Sequence, residues 1–223
     1  MAEQSQNALK LSFGLLDSFQ EENAFRVEKI EAKVDRYEDE LGTYLIKLNQ
    51  KELSVEDSHS LSIMLHCIGD FERLSDHALS IMKSAKEMWE KNAVFSPQAV
   101  KELHVMEKAV VDIVDKAYAV FANQDIQLAE EIEPLEEVID ELSRELKRRH
   151  VNRLRAGECT IEMGFILSDV TTSLERIADH CSNIGVCVTQ VREDLYDTHS
   201  HLDSVKNAPG ELFHHELEVA RVN

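Results

Sequence analysis

Ser173-Leu174-Glu175-Arg176-Ile177-Ala178-Asp179-His180-Cys181-Ser182-Asn183-Ile184 governs the interpretation of this chain, because a near copy lies 103 residues before it. That copy is Asp70-Phe71-Glu72-Arg73-Leu74-Ser75-Asp76-His77-Ala78-Leu79-Ser80-Ile81. Both keep Glu-Arg, an aliphatic residue, a small residue, Asp-His and a closing Ile at the same spacing, the mark of a duplicated helical unit. A second correspondence lies upstream of each copy. A shift of 105 residues lays Ala24, Ile30, Glu31, Val34, Asp35, Glu40 and Leu41 on Ala129, Leu135, Glu136, Ile139, Asp140, Glu145 and Leu146. The loop between the two segments absorbs the difference in shift.

Apolar residues recur at helical spacing around these segments. Ala8, Leu11, Leu15, Leu16 and Phe19 predict a short first helix from Ser5. Val27, Ile30, Val34, Tyr37, Leu41, Leu45 and Leu48 predict a long core-facing helix over 21–48. A third runs over 55–91 behind Ser54, a residue type that caps helix starts. Ser96-Pro97 is a capping serine with proline at the first helical position, opening a fourth helix to about 122. Asn123-Gln124-Asp125 turns the chain into a fifth over 126–155, which Ala156-Gly157 stops, and Thr160 opens a sixth to about Tyr196. The expectation is an all-α fold of tandem duplicated three-helix bundles: 1–95, 96–205, and a C-terminal tail over 206–223.

Composition agrees. The 223 residues hold 7 Gly, 3 Pro and 43% hydrophobic side chains, enough for a real core and few breaks in helix. A formal net charge of −19 repels a phosphate backbone and argues against nucleic acid as a partner. Four cysteines without a CxxC pair read as reduced thiols of a cytoplasmic protein. No stretch approaches the roughly 20 apolar residues of a membrane helix, so no direct membrane insertion is expected.

The chemistry lies in four Glu-x-x-x-Asp pairs: Glu31/Asp35, Glu72/Asp76, Glu136/Asp140 and Glu175/Asp179. Residues four apart share a helix face, so each pair projects two carboxylates in one direction. Roughly eight acid pairs at that spacing arise by chance in so acidic a chain, and one alone signals nothing. Four in register within a duplication are different. At 100° per residue they fall at the edges of the apolar stripes, so two adjacent helices bring four carboxylates to one groove. Like charges that close cost several kcal/mol unless protonated or neutralised by a cation. All eight residues are therefore candidate metal ligands. Oxygen-only donors suit hard ions such as Mg, Ca, Mn and iron, with Zn, a borderline ion, also among the candidates. The competing interpretation is a set of surface salt bridges, with Arg73 and Arg176 as obvious partners.

His77 and His180 each follow an Asp by one residue, a further 100° around the helix and away from the carboxylate face. Glu28, Glu38 and Asp39 extend the first acidic edge, whereas the second repeat has Ser143 and Arg144 where the first has Glu38 and Asp39, so the two sites are not expected to be equivalent. No catalytic constellation stands out. Glu56/His59 and Glu211/His214 have the Glu-x-x-His spacing of bundle di-iron enzymes but are unrelated by the duplication. His199, His201, His214 and His215 read as solvated tail residues.

With these motifs the chain resembles the PhoU family, whose repeat carries Glu-Arg-Ile-x-Asp in one helix and Glu-x-x-x-Asp in the preceding one. The matches are Glu72-Arg73-Leu74-Ser75-Asp76 and Glu175-Arg176-Ile177-Ala178-Asp179, preceded by Glu31/Asp35 and Glu136/Asp140. The resemblance implies two three-helix bundles, metal clusters on the acidic motifs and a non-enzymatic role in regulating phosphate uptake. The wording of Ser168–Ile184 is most similar to the cytosolic C-terminal PhoU-like domain of bacterial sodium/phosphate cotransporters. That implies a fragment cut at a domain boundary, located in the cytoplasm at the inner face of the membrane, with a phosphate transporter's membrane domain as partner. A homodimer is a further possible assembly, and a carboxylate-bridged metalloenzyme and a purely structural dimerisation module are the alternatives the residues leave open.

Overall fold

The computed structural model describes residues 1–193, and they form an all-α protein. Seven helices follow in order: α1 (Ala2–Asp17), α2 (Glu21–Leu48), α3 (Val55–Glu90), α4 (Pro97–Asn123), the short α5 (Ile126–Ala129), α6 (Ile132–Arg155) and α7 (Ile161–Glu193). The expected tail at 206–223, its histidines and the end of the last helix at Tyr196 lie outside the described residues.

Helix boundaries follow local chemistry. Ser54 Oγ accepts from Asp57 N at 3.0 Å, Ser96 Oγ from Ala99 N at 3.3 Å, and Thr160 Oγ1 from Met163 N at 3.2 Å. Each satisfies one amide that has no partner in a first helical turn. Gly157, with φ of 73°, closes α6, and Glu158 N returns a hydrogen bond to Arg153 O. That left-handed conformation favours glycine.

The single long helix expected over 126–155 is instead broken at Glu130–Glu131 into α5 and α6. Pro134 is the reason. It has no N–H for the Glu130 carbonyl, and its ring collides with that carbonyl in a continuous helix. Proline is tolerated only in the first turn, where Pro134 now sits as the third residue of α6.

Helices α1, α2 and α3 pack on one another, as do α4, α6 and α7, which gives the tandem three-helix bundles. The bundles meet mainly along α3 and α7. These run antiparallel: Lys91, just past α3, bonds Glu162 at the start of α7, while Asp70 bonds His180 and Asn183 further along it. One buried cluster crosses the seam, including Cys67, Phe71, Leu74, Ala78 and Ile81 from α3 and Leu174, Ile177, Ala178, Cys181 and Ile184 from α7. Burying each Leu or Ile side chain contributes about 1.5–3 kcal/mol. Phe71 also meets Phe121 of α4 edge to face, with centroids 4.9 Å apart. All four cysteines are free thiols, and among the described residues no helix is long and apolar enough to cross a membrane.

α2 is less core-facing than its stripe suggests. Val27, Val34 and Leu45 are buried, but Leu41 is 38% exposed, whereas Leu146 at the same register of α6 is 3% exposed. The covering helix differs in length: α1 has 16 residues and its counterpart α4 has 27.

Candidate metal centres

Two carboxylate grooves emerge, one per bundle. The first lies between α2 and α3, the second between α6 and α7. In the first, Asp35, Glu38 and Glu72 bring one oxygen each within 4.8 Å of one another. In the second, Glu136, Asp140 and Asp179 do the same. Five of the eight sequence-predicted residues thus sit in tight sets. Glu31 and Asp76 stand at the margin of the first, and Glu175 at the margin of the second.

The electrostatics of the first groove show the cost of burying carboxyls and, after that, of assembling like charges. Burial, then the Asp76 charge, pushes the Glu72 carboxyl up to about 7, with Glu38 adding to the effect and Arg73 opposing it. Glu31 is raised by burial and by Asp76, Asp35 and Glu28, against the pull of Lys83. Arg73 screens one side: its Nη1 donates to Asp76 at 3.1 Å and its Nε lies 3.5 Å from Glu72. Part of the salt-bridge interpretation therefore holds, but the exposed Arg73 leaves Glu38 and Asp35 to the groove.

The second groove is more enclosed. Glu136 is 7% exposed, and Oδ1 of Asp140 is buried without a hydrogen-bond donor. Burial raises Asp140, and the Glu175 and Asp179 charges raise it further. Glu175 behaves oppositely. Burial would raise it, but hydrogen bonds from Ser143 Oγ at 2.9 Å and Lys147 Nζ at 3.1 Å outweigh that and hold its carboxyl below the usual range. Arg176 Nη1 donates to Asp179 at 3.0 Å, repeating the Arg73–Asp76 contact.

These donors fit a hard cation. Both sets are made of carboxylate oxygens alone, and a buried acceptor without a donor, as in Asp140, is the arrangement a cation satisfies. Glu38 was visible only as an extension of the acidic edge; its place in the set follows from the way α2 rotates against α3. Its counterpart by register is Ser143, which serves the second groove as a donor to Glu175.

The histidines lie apart from both grooves but together with each other. His77 and His180 face one another across the α3–α7 seam with ring centroids 5.7 Å apart. Burial and the facing His180 push His77 down to about 4, so it is neutral at pH 7.

A family model described as the PhoU domain matches residues 1–85 and 103–188, one match over each repeat. The chain belongs to the PhoU family. It is 29% identical over 115 residues to a Thermotoga maritima protein named phosphate-specific transport system accessory protein PhoU homolog 1. The match covers 52% of this chain and 49% of that relative, so the chain spans about half the relative's length. A Deinococcus radiodurans phosphate-specific transport system accessory protein PhoU homolog is 22% identical over 160 residues, covering 71% and 74% of the two chains. The PhoU crystal structure from Pseudomonas aeruginosa superposes with a TM-score of 0.80 at 20% identity, over 86% of this chain and 92% of that one. The phosphate transport system regulatory protein PhoU from Streptococcus pneumoniae gives 0.78 at 19%, over 88% and 92%. The PhoU fold is therefore shared across nearly the whole described chain.

Proposed function

We propose that this chain is a non-enzymatic, metal-binding regulatory protein of phosphate transport, acting by docking on a transporter. The observation that carries this is the recurrence of a three-carboxylate set in each PhoU repeat, including the donor-less Asp140. The names of its relatives as accessory proteins of the phosphate-specific transport system support the same role. When bound, the metal supplies positive charge to an otherwise repulsive groove. Asp35, Glu38 and Glu72 would hold it in one repeat, and Glu136, Asp140 and Asp179 in the other.

In a chain of net charge −19, filling both grooves changes the surface a partner meets, which couples metal loading to docking. The more specific assignment, to the cytosolic domain of a sodium/phosphate cotransporter, rests on the wording of Ser168–Ile184; the matched relatives are accessory proteins. The test is elemental analysis of protein purified without chelator, compared with Glu72→Ala and Asp179→Ala, followed by docking to transporter-bearing vesicles with and without chelator. Stoichiometric metal that falls in each variant, and docking that weakens on chelation, are expected. Metal-free protein that takes up no Mg²⁺, Mn²⁺ or iron would return the carboxylates to a solvated surface role.

A further inference from the structure

The duplicated Asp-His steps meet on the seam between α3 and α7. His77 on α3 and His180 on α7 approach across the seam between repeats, their rings tilted 33° to one another. A ring bound through nitrogen at about 2.0–2.1 Å places its centroid about 3.2 Å from the metal, so two rings at a tetrahedral angle stand about 5.2 Å apart. The observed 5.7 Å lies close to that separation. Asp70 Oδ1 accepts from His180 Nδ1 at 2.9 Å, and Asn183 Nδ2 also donates to it, at 3.3 Å. With Nδ1 carrying the proton, Nε2 of His180 presents a lone pair, the carboxylate–histidine arrangement that orients metal ligands. Neither Nε2 of His180 nor either ring nitrogen of His77 bonds to another described residue.

Local charge favours a cation. Arg73 and Arg176 are the nearby positive groups, but each is held by its own aspartate, Asp76 and Asp179. Asp70 adds negative charge directly behind His180, bonded by His180 and Asn183. His180 is 20% exposed at its side chain, so an ion reaches the pair from solvent.

We propose that His77 and His180, with Asp70 oriented behind His180, form a third metal site that takes a borderline divalent ion of the Zn²⁺, Ni²⁺ or Cu²⁺ class and bridges the two repeats across the α3–α7 seam. Imidazole donors suit these ions, whereas the carboxylate grooves suit harder ones. Water completes the coordination. An ion bound only when α3 and α7 are docked stabilises that interface by mass action. The site stands independently of the regulatory role, since it uses none of the groove carboxylates.

The test uses the full chain with His199, His201, His214 and His215 changed to alanine and excess Mg²⁺ present. One equivalent of Cu²⁺ is added and read by electron paramagnetic resonance and by calorimetry. Nitrogen coupling from two imidazoles is expected. His77→Ala and His180→Ala should each remove one nitrogen and weaken binding by at least about 10-fold. Asp70→Asn, which keeps both ligands, should retain both couplings and weaken binding by about 10-fold. Circular dichroism establishes that each variant is folded, and Asp70→Asn carries the test if a histidine variant is not. An oxygen-only spectrum, or affinity unchanged in Asp70→Asn and in the folded histidine variants, overturns the site, whatever the grooves themselves bind.

Discussion

Corresponding positions 38 and 143 hold Glu38 in the first groove and Ser143 in the second, and positions 42 and 147 hold Gly42 and Lys147. Around them the motif acids are the same. In the first groove Glu38 joins Asp35 and Glu72, and burial, then the Asp76 charge, pushes Glu72 up to about 7, with Glu38 adding to the effect. In the second, Ser143 and Lys147 draw Glu175 aside and leave Glu136, Asp140 and Asp179 as the set. The repeated motif therefore supplies carboxylates but does not by itself fix which of them come together. Two neighbours one and two turns further along the same helix do that.

The sharpest way to break the comparison is to remove ligands from one groove only. Asp140→Asn with Asp179→Asn should weaken metal at the second groove by more than about 100-fold, beyond the 10–100-fold of an outer-shell change. The metal count of the first groove should stay constant in elemental analysis, and a fall at both would mean that the grooves are coupled. Packing gives the next largest contrast. Leu146→Ala, at a buried position, should cost about 3 kcal/mol in urea unfolding, while Leu41→Ala, at its partly exposed counterpart, should cost less than about 1 kcal/mol. Equal costs would show that α2 is covered as fully as α6.

Exchanging the distinguishing neighbours has a smaller effect. Lys147→Ala releases Glu175 to the second groove and should tighten its metal by about 5-fold at low salt, with the gain shrinking as salt screens it. Gly42→Lys should loosen the first groove by a similar factor; a Cβ at Gly42 meets nothing within 4 Å, so the change is tolerated. Calorimetry on the two variants measures both. If neither moves, the neighbours are bystanders.

The smallest effect is on metal-free protein. Glu72, raised in the folded state to about 7 from 4.5, binds a proton that the unfolded chain has already lost between those values. Its stabilising effect is present at the acid end and is lost as pH rises through 7, so the melting temperature should fall by roughly 2 °C between pH 5 and pH 8. Glu72→Gln should flatten that slope. Glu175, lowered in the folded state, has the opposite sign: its stabilisation is present at neutral pH and lost on acidification. A slope unchanged in Glu72→Gln would place the pH dependence on another group.

Much of this was legible in the chain before folding. Helix starts at Ser54, Ser96 and Thr160, the all-α class, the duplication and the four Glu-x-x-x-Asp pairs are all properties of residues within a few positions of each other. Backbone geometry at that range is nearly fixed, so periodicity and capping chemistry report it directly. Inequivalence of the grooves was legible too, from the mismatch of Glu38 with Ser143. The break before Pro134 was local as well, and a proline within the first turn of α6 was its signal.

Three features depended on contacts between helices distant in sequence. Glu38 entered the first set, Glu175 was drawn away by Ser143 and Lys147, and His77 met His180 with Asp70 behind it. Each turns on how far one helix rotates and slides against another, and an error of one residue is 100° of rotation. Sequence placed the two histidines away from the carboxylate faces, and neither belongs to a three-carboxylate set. Packing of α3 antiparallel on α7 then turned both toward the same seam, because the duplicated helices bury the same apolar stripe against each other.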